Sequence, residues 1–430
     1  MSKRFVFLTA VLLIVLAAFT AVAQDRPYEG RVINFLTIQP HAVASRYVAE
    51  LFEEETGADV QVLVVPYGNI VEKALLDVTS GAGEYDVLEI WYPSLGTLAS
   101  NGVLVDLTDW WEENAEVIQA DDFAPTILDP YTLWDGRRWA IPYDGDTHIL
   151  FYNTTIFEEY GVEPPTNWDE YLEACRTITE AGADEGVYGC AIMGANVPII
   201  LIGTFANRLG GYGGSFFDEE GNPTINSPEA VAALEALVAQ LPYALPDPVA
   251  TAFDEAIGGF VTGRVGMMEF WTDLGQMADN PEQSQIIGEW AALPMLAGTG
   301  ENAQVAPALN AGFSLGISTL AQDPEVAEAF LLFNARPETN VAVNTIVGGL
   351  DPTRISTFDN PEYREHVTPE LADVAKAALT NATAWPNTPE WLEMQEVLNN
   401  NLAAALTGEK TPQQALDDTQ AEWEAILAAS

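Results

Sequence analysis

Between residues 32 and 90 short apolar runs alternate with amphipathic ones, and this alternation restricts the possible folds more than any other feature of the chain. Val32-Ile33-Asn34-Phe35-Leu36 reads as a strand. Residues 42–56 then place Val43, Tyr47, Val48, Leu51 and Phe52 on one helical face and stop at Gly57. Val60 to Val65 is a strand ended by Pro66, a second helix over about 69–80 ends before Gly81, and Asp86 to Ile90 gives a third strand. Strand, helix, strand, helix, strand predicts a parallel sheet, and ligand sites in open α/β sheets form at the strand ends. Those ends are the loops Thr37 to His41, Tyr67 to Asn69 and Trp91 to Ser94.

A second set of elements follows a break near residue 144. Trp139-Ala140-Ile141 is apolar, Asp144-Gly145-Asp146 interrupts it, and Ile149 to Tyr152 resumes a buried-strand pattern, which reads as a hinge with two carboxylates at a crossing point. Pro164-Pro165 leads into a helix over about 168–181 with Thr166 or Asn167 as its N-cap. Further helices are expected at 229–240, 251–262 and 323–335, and further strands at 265–270, 291–295 and 313–317, with a Gly-Gly-Leu-Asp-Pro turn at 348–352.

The segment GRRWAIPYDGDTHILFYNTTIFEEYGVEPPTNWDE at 136–170 closely resembles the corresponding part of family 1 extracellular solute-binding proteins, the substrate receptors of bacterial carbohydrate ABC importers. The resemblance extends to YDVLEIWYPSLGTLASNGVLVDLTDW at 85–110, FFDEEGNPTINSPEAV at 216–231, GRVGMMEFWTDLG at 263–275 and AEAFLLFNARPETN at 327–340, in matching order and spacing. It implies an α/β, two-lobed periplasmic-binding-protein fold, each lobe a mostly parallel sheet flanked by helices and joined by a multi-strand hinge. The lobes would be 24–145 with 295–347 and 146–294 with 348–430, after a leader at 1–23.

The leader is read from Lys3 and Arg4, the apolar run Phe5 to Phe19, and Ala21-Val22-Ala23 before Gln24, a secretory signal cleaved after Ala23. A permanent anchor is the competing reading, weakened by the shortness of the run and by Asp25 and Arg26 directly after it. Export to the periplasm or the outside permits a disulfide between Cys175 and Cys190, with two buried free thiols as the alternative. Against 16 Lys and Arg stand 64 Asp and Glu, a formal net charge of −48, which excludes nucleic acid as a partner. The acids are spread along the chain, which suits adaptation to salt better than capture of one cationic ligand. With 48% hydrophobic residues the chain is not globally disordered.

A sugar or polyol needs acceptors and donors for its hydroxyls and an aromatic ring for its C–H face. The candidate ligand-binding residues are therefore Gln39 and His41 after the first strand, Trp91 and Tyr92 after the third, Asp144 and Asp146 at the crossing, and Trp271 and Asp273 after Val265–Phe270. Asn196, Asn310, Arg354 and Trp385 complete the set. For Trp91 and Tyr92 the alternative is core packing, for the two aspartates a solvated turn, and for Arg354 a local ion pair. His148 is read as structural. His41, His148 and His366 do not pair with a cysteine at ligand spacing, so neither metal nor cofactor is expected.

Gly312-Phe313-Ser314-Leu315-Gly316 matches a nucleophile elbow, but the apolar residues beyond it place the serine inside a strand. The reading is thus a non-enzymatic, monomeric receptor that presents a neutral saccharide or polyol to ABC permease subunits. A polyamine or other cation held by Asp144, Asp146 and Asp273 is the first alternative, and a secreted glycosidase the second.

Overall fold

The computed structural model describes residues 26–429; the leader and its cleavage after Ala23 lie outside the described residues. Its strands are β1 (Val32–Ile38), β2 (Asp59–Val65), β3 (Val87–Trp91), β4 (Leu133–Trp134), β5 (Arg137–Arg138), β6 (Ile141–Asp144), β7 (Ile149–Asn153), β8 (Tyr188–Ala191), β9 (Val265–Phe270), β10 (Trp290–Leu293) and β11 (Phe313–Ile317). Two sheets result, in the orders β2-β1-β3-β11-β6 and β10-β7-β9-β8, with β4 and β5 as a separate hairpin. All residues of β3, β9 and β11 are buried, as expected of strands covered on both faces.

In the first sheet β1 pairs in parallel with β2 and β3, joined by the helices Ala42–Thr56 and Ile70–Ser80, as the alternating pattern predicts. Each helix ends on a glycine in the left-handed region, Gly57 at φ 81° and Gly81 at φ 74°, where a β-carbon is unfavourable. The expectation of mostly parallel sheets needs correction. β11 enters between β3 and β6 antiparallel to both, and in the second sheet β7 is antiparallel to β9 and β10, leaving β8 with β9 as its parallel pair. β6 and β7 flank one point where the chain passes between the two sheets, and β10 and β11 flank the other.

The crossings are residues 145–148, between β6 and β7, and residues 294–312, between β10 and β11. After the helices Pro324–Asn334 and Pro337–Asn344, which pack on the first sheet's side, the chain returns to end in helices Trp391–Leu406 and Pro412–Ala429, packed on helices Pro198–Gly211 and Pro228–Gln240. Cys175 and Cys190 are disulfide-bonded, tying helix Trp168–Gly182 to β8 with Cα atoms 5.4 Å apart. That helix is capped by Asn167, whose side chain accepts from the Asp169 and Glu170 amides. Among the described residues no helix is long and apolar enough to cross a membrane.

Candidate functional site

The ends of β1, β6, β9 and β11 converge on a cavity of about 510 Å³ lying between the two sheets. Its first wall is aromatic: Phe313 takes the His41 ring edge-on at 4.9 Å and the Tyr67 ring at 5.7 Å. Opposite stands Trp271, fixed from behind. Its indole N–H donates to the Asn310 carbonyl at 2.9 Å, and its ring meets His148 at 4.2 Å and Phe253 at 5.4 Å. His148 is held in turn by the Asn310 and Asn207 amides, 2.8 and 2.9 Å from Nδ1, and burial beside Arg208 lowers its pKa to about 3. A neutral imidazole thus backs the tryptophan. Ala311, also in the lining, has φ 69°, a conformation that costs a residue with a β-carbon roughly 1–2 kcal/mol and that gathers at functional sites.

The floor is acidic. Asp144 ends β6 and Asp146 lies in the first crossing, Asp273 follows β9, and Asp351 comes from the Gly-Gly-Leu-Asp-Pro turn, while the lining residues include neither lysine nor arginine. The Asp351 amide donates to Asp144 Oδ1 at 2.7 Å, and the Asp351 carbonyl accepts from the Gly145 amide at 3.0 Å, so the turn and the crossing are stitched together. Thr272 donates its hydroxyl to the Asp351 carboxylate. His41 sits over this floor with Nδ1 2.6 Å from the buried Glu89 carboxylate and Nε2 3.4 Å from Asp144 Oδ2. The latter is ion-pair distance without hydrogen-bond alignment, and Asp144 Oδ2 has no hydrogen-bond partner.

Burial pulls the His41 imidazole down, but the Glu89 and Asp144 charges outweigh it and raise it to about 9. Burial raises Asp144, with His41 opposing, and raises Asp146 well above the carboxylate range, reinforced by Asp144 and Asp351. Burial and the Asp144 charge lift Asp351 to about 7, and the same two causes lift Asp273 to about 6, although Asp273 faces the water of the cavity. Crowded acids with one imidazole for company favour ligands that donate hydrogen bonds or carry positive charge.

Of the candidate residues, His41, Asp144, Asp146, Trp271 and Asp273 line the cavity. The others do not. Gln39 is exposed beside it, and Asn310 is fully buried behind Trp271. Trp91 is turned inward, edge-on to the buried Trp385 at 6.0 Å, which removes both rings from the cavity. Tyr92 is core: it stacks on Tyr131 at 4.5 Å while its hydroxyl donates to the Leu309 carbonyl and accepts from the Trp385 amide. Arg354, wholly buried, pairs with Asp122 at 3.1 Å and donates to the Ile118 and Ala335 carbonyls, the local ion pair given above as its alternative. Asn196 lies in a separate crevice with Gly194 and Val249, bonded to Asn399. Residues not picked from sequence are Tyr67, Phe253, Phe313, Asp351 and Tyr363. The Tyr67 loop was marked by the strand-end rule, whereas nothing local marks Asp351.

Residues 39–341 match the profile of the bacterial extracellular solute-binding protein family. A probable amino-acid ABC transporter periplasmic-binding protein from Sinorhizobium fredii is 26% identical over 98% of this chain and 95% of its own. An erythritol/L-threitol-binding protein from Mycolicibacterium smegmatis is 26% identical over 40% of this chain and 38% of its own. Among solved structures, a solute-binding protein from Agrobacterium radiobacter in complex with ribitol superposes with a TM-score of 0.81 at 24% identity, covering 92% of this chain and 98% of that one. The maltose-bound MalE3 of T. maritima gives 0.79 at 26% identity, covering 92% and 99%.

Proposed function

We propose that this chain, which belongs to the family of bacterial extracellular solute-binding proteins, captures a small carbohydrate or sugar alcohol between its lobes and presents it to the transmembrane subunits of an ABC permease. The observation that carries the reading is the cavity itself, in which Trp271 faces a floor of Asp144, Asp146, Asp273 and Asp351. The ring packs on the C–H face of a polyol and the carboxylates accept its hydroxyls. At about 510 Å³ the cavity falls inside the roughly 300–1,000 Å³ typical of small-molecule sites. The erythritol/L-threitol-binding relative and the ribitol complex point to the same class of solute.

The label on the Sinorhizobium relative names amino acids. Here an α-carboxylate would enter a cavity lined by four aspartates, with no lysine or arginine to meet it and with the His41 charge already facing Glu89 and Asp144, which argues against solutes that must bury a carboxylate. The same acidity favours one second reading, a polyamine or other organic cation in the same cleft.

The protein acts in this reading as an exported monomer without catalysis, its lobes 24–145 with 295–347 and 146–294 with 348–430. The serine of the Gly-x-Ser-x-Gly pattern, Ser314, is paired inside β11 with Ile90 and Pro142 and so sits on no strand-to-helix turn. Transport follows from a population shift: contacts from both lobes stabilise the closed state by the amount its affinity exceeds that of the open one.

The test is a thermal-shift screen of residues 24–430 against monosaccharides, disaccharides, polyols and polyamines at low and high salt, because a ligand that binds only the folded state raises the melting temperature. A salt-insensitive shift with a neutral sugar or polyol is the expected result. A shift confined to cations and lost at high salt replaces it with the polyamine reading, and turnover of chromogenic glycosides would replace both with a glycosidase.

A further inference from the structure

His41, Asp144 and Asp146 each place one possible donor atom in the cleft, the three atoms lying within 4.8 Å of one another. The sequence hides this set, since His41 ends the first strand's loop while the two aspartates lie about a hundred residues on, at the end of β6 and in the crossing after it. Two further observations give it the character of a binding site. Asp144 is 1% exposed, and its Oδ2, the atom 3.4 Å from His41 Nε2, has no hydrogen-bond partner. On the far side of the imidazole, Glu89 holds Nδ1 at 2.6 Å and is itself fixed by Thr37 and by the Ile38 amide at 3.2 Å. A carboxylate on one ring nitrogen, with the other nitrogen left free of any hydrogen bond 3.4 Å from Asp144 Oδ2, is the arrangement by which proteins orient a metal-ligating histidine.

We propose that the cleft floor binds one divalent transition-metal cation through His41 Nε2, Asp144 and Asp146, with Glu89 as a positioning residue. The mixed nitrogen and oxygen donors suit Zn²⁺ or Mn²⁺, with Zn²⁺ the tighter of the two, and serve Ca²⁺ poorly because calcium takes six to eight oxygens. All three ligands line the cavity, so the remaining coordination positions open towards the solute. Asp351, whose amide already donates to the other Asp144 oxygen, and Asp273 add negative charge to the surroundings of the site.

The decisive experiment is isothermal titration of EDTA-treated, dialysed protein with Zn²⁺ and with Mn²⁺, in the absence of any solute. About 0.5 M NaCl screens weak association with the acidic surface, the Debye length then being only a few ångströms. One site per chain is expected, weakened at least tenfold in Asp146→Asn and about 10- to 100-fold in Glu89→Gln, the range typical of lost orienting partners. Melting curves in EDTA establish that each variant folds. A readout independent of variants is pulsed EPR of Mn²⁺ on the wild-type protein, where coupling to an imidazole nitrogen is expected. Absence of binding, equal affinity in both variants, or bound Mn²⁺ without nitrogen coupling overturns the proposal and leaves His41 as the internal counter-charge of the acids. Because no sugar is present, its failure is separate from that of the carbohydrate reading, which the solute screen in EDTA tests alone.

Discussion

At Asp351, burial and the Asp144 carboxylate raise the acid to about 7, so the folded protein retains a proton that the unfolded chain releases near pH 4. The sign follows from a raised folded-state pKa: the contribution to stability is complete below about pH 4 and is lost as pH rises through about 7. Asp351→Asn keeps an acceptor for the Thr272 hydroxyl and removes the ionisation. In metal-free, ligand-free protein it should raise stability at pH 8 and change little at pH 4.5. Each pKa unit corresponds to about 1.4 kcal/mol, and with the proton shared among neighbouring acids a gain on the order of 1–3 kcal/mol is expected by denaturant melts. A variant less stable than wild type at pH 8 would show that the ionised carboxylate is needed where it stands. The tryptophans allow a paired test. Trp271→Ala should weaken binding of the solute identified by the screen about tenfold or more, by calorimetry, whereas Trp91→Ala should leave affinity alone and cost about 3–5 kcal/mol of stability, because that ring packs on the buried Trp385 away from the cavity. The difference also marks what was legible at this scale. Strand ends told which segments approach the cleft, and His41, Asp144, Asp146, Trp271 and Asp273 were found that way. They did not tell which way each side chain turns, and Trp91, Tyr92 and Trp385 turn inward because Tyr92 is wired to the Leu309 and Trp385 backbone.

Among the elements, those with a clean period were legible and those without one were not. β11 and β9 lie where their apolar runs predict, at Phe313–Ile317 and Val265–Phe270. The helix Pro198–Gly211 gives no such signal. Every residue from Ile199 to Gly211 is buried, so it has no polar face to generate a 3.6-residue rhythm. The direction of β6, β7 and β11 was equally hidden, since it depends on where a crossing delivers the chain. The crossings themselves are closely packed: a β-carbon on Gly145 would lie 2.3 Å from the Pro352 carbonyl oxygen, a backbone atom that cannot swing aside. Gly145→Ala should therefore separate the first crossing from the 351–354 segment, cost about 1–3 kcal/mol by thermal melts, and shift the radius of gyration measured with and without solute. Unchanged melting and unchanged scattering would show that these two segments do not act as a joint. In the second lobe the Cys175–Cys190 bridge closes a loop of 15 residues. Reduction should lower unfolding free energy by about 3 kcal/mol in the chain-entropy picture, readable as a shift of the urea midpoint; its absence would mean that the helix and β8 are held by packing alone.

On the scale of the whole molecule, the excess of 64 acidic over 16 basic side chains sets the conditions under which lobe packing and closure occur. Basic residues are mostly committed to pairs, such as Arg31 with Asp323 and Glu325, Arg336 with Glu55 and Lys376 with Asp359, and the pairs exposed at the surface are worth about 0–1 kcal/mol each. The surplus acids repel one another with no partner to offset them. Raising NaCl from about 0.05 to about 1 M shortens the Debye length from more than 10 Å to about 3 Å, which weakens both effects, but the repulsion involves many more charges than the attractive pairs. Stability should accordingly rise with salt, equally in NaCl and KCl if screening is the cause, whereas specific ion binding would separate the two. Closure brings two acidic lobes together around the cavity, so the closed state gains more from screening than the open one, and affinity for a neutral polyol should hold or rise modestly with salt while affinity for a cation falls. Melting curves and calorimetry over one salt series therefore read the global charge and the class of solute together, and a melting temperature that falls as NaCl is added would show that the ion pairs, few as they are, outweigh the repulsion.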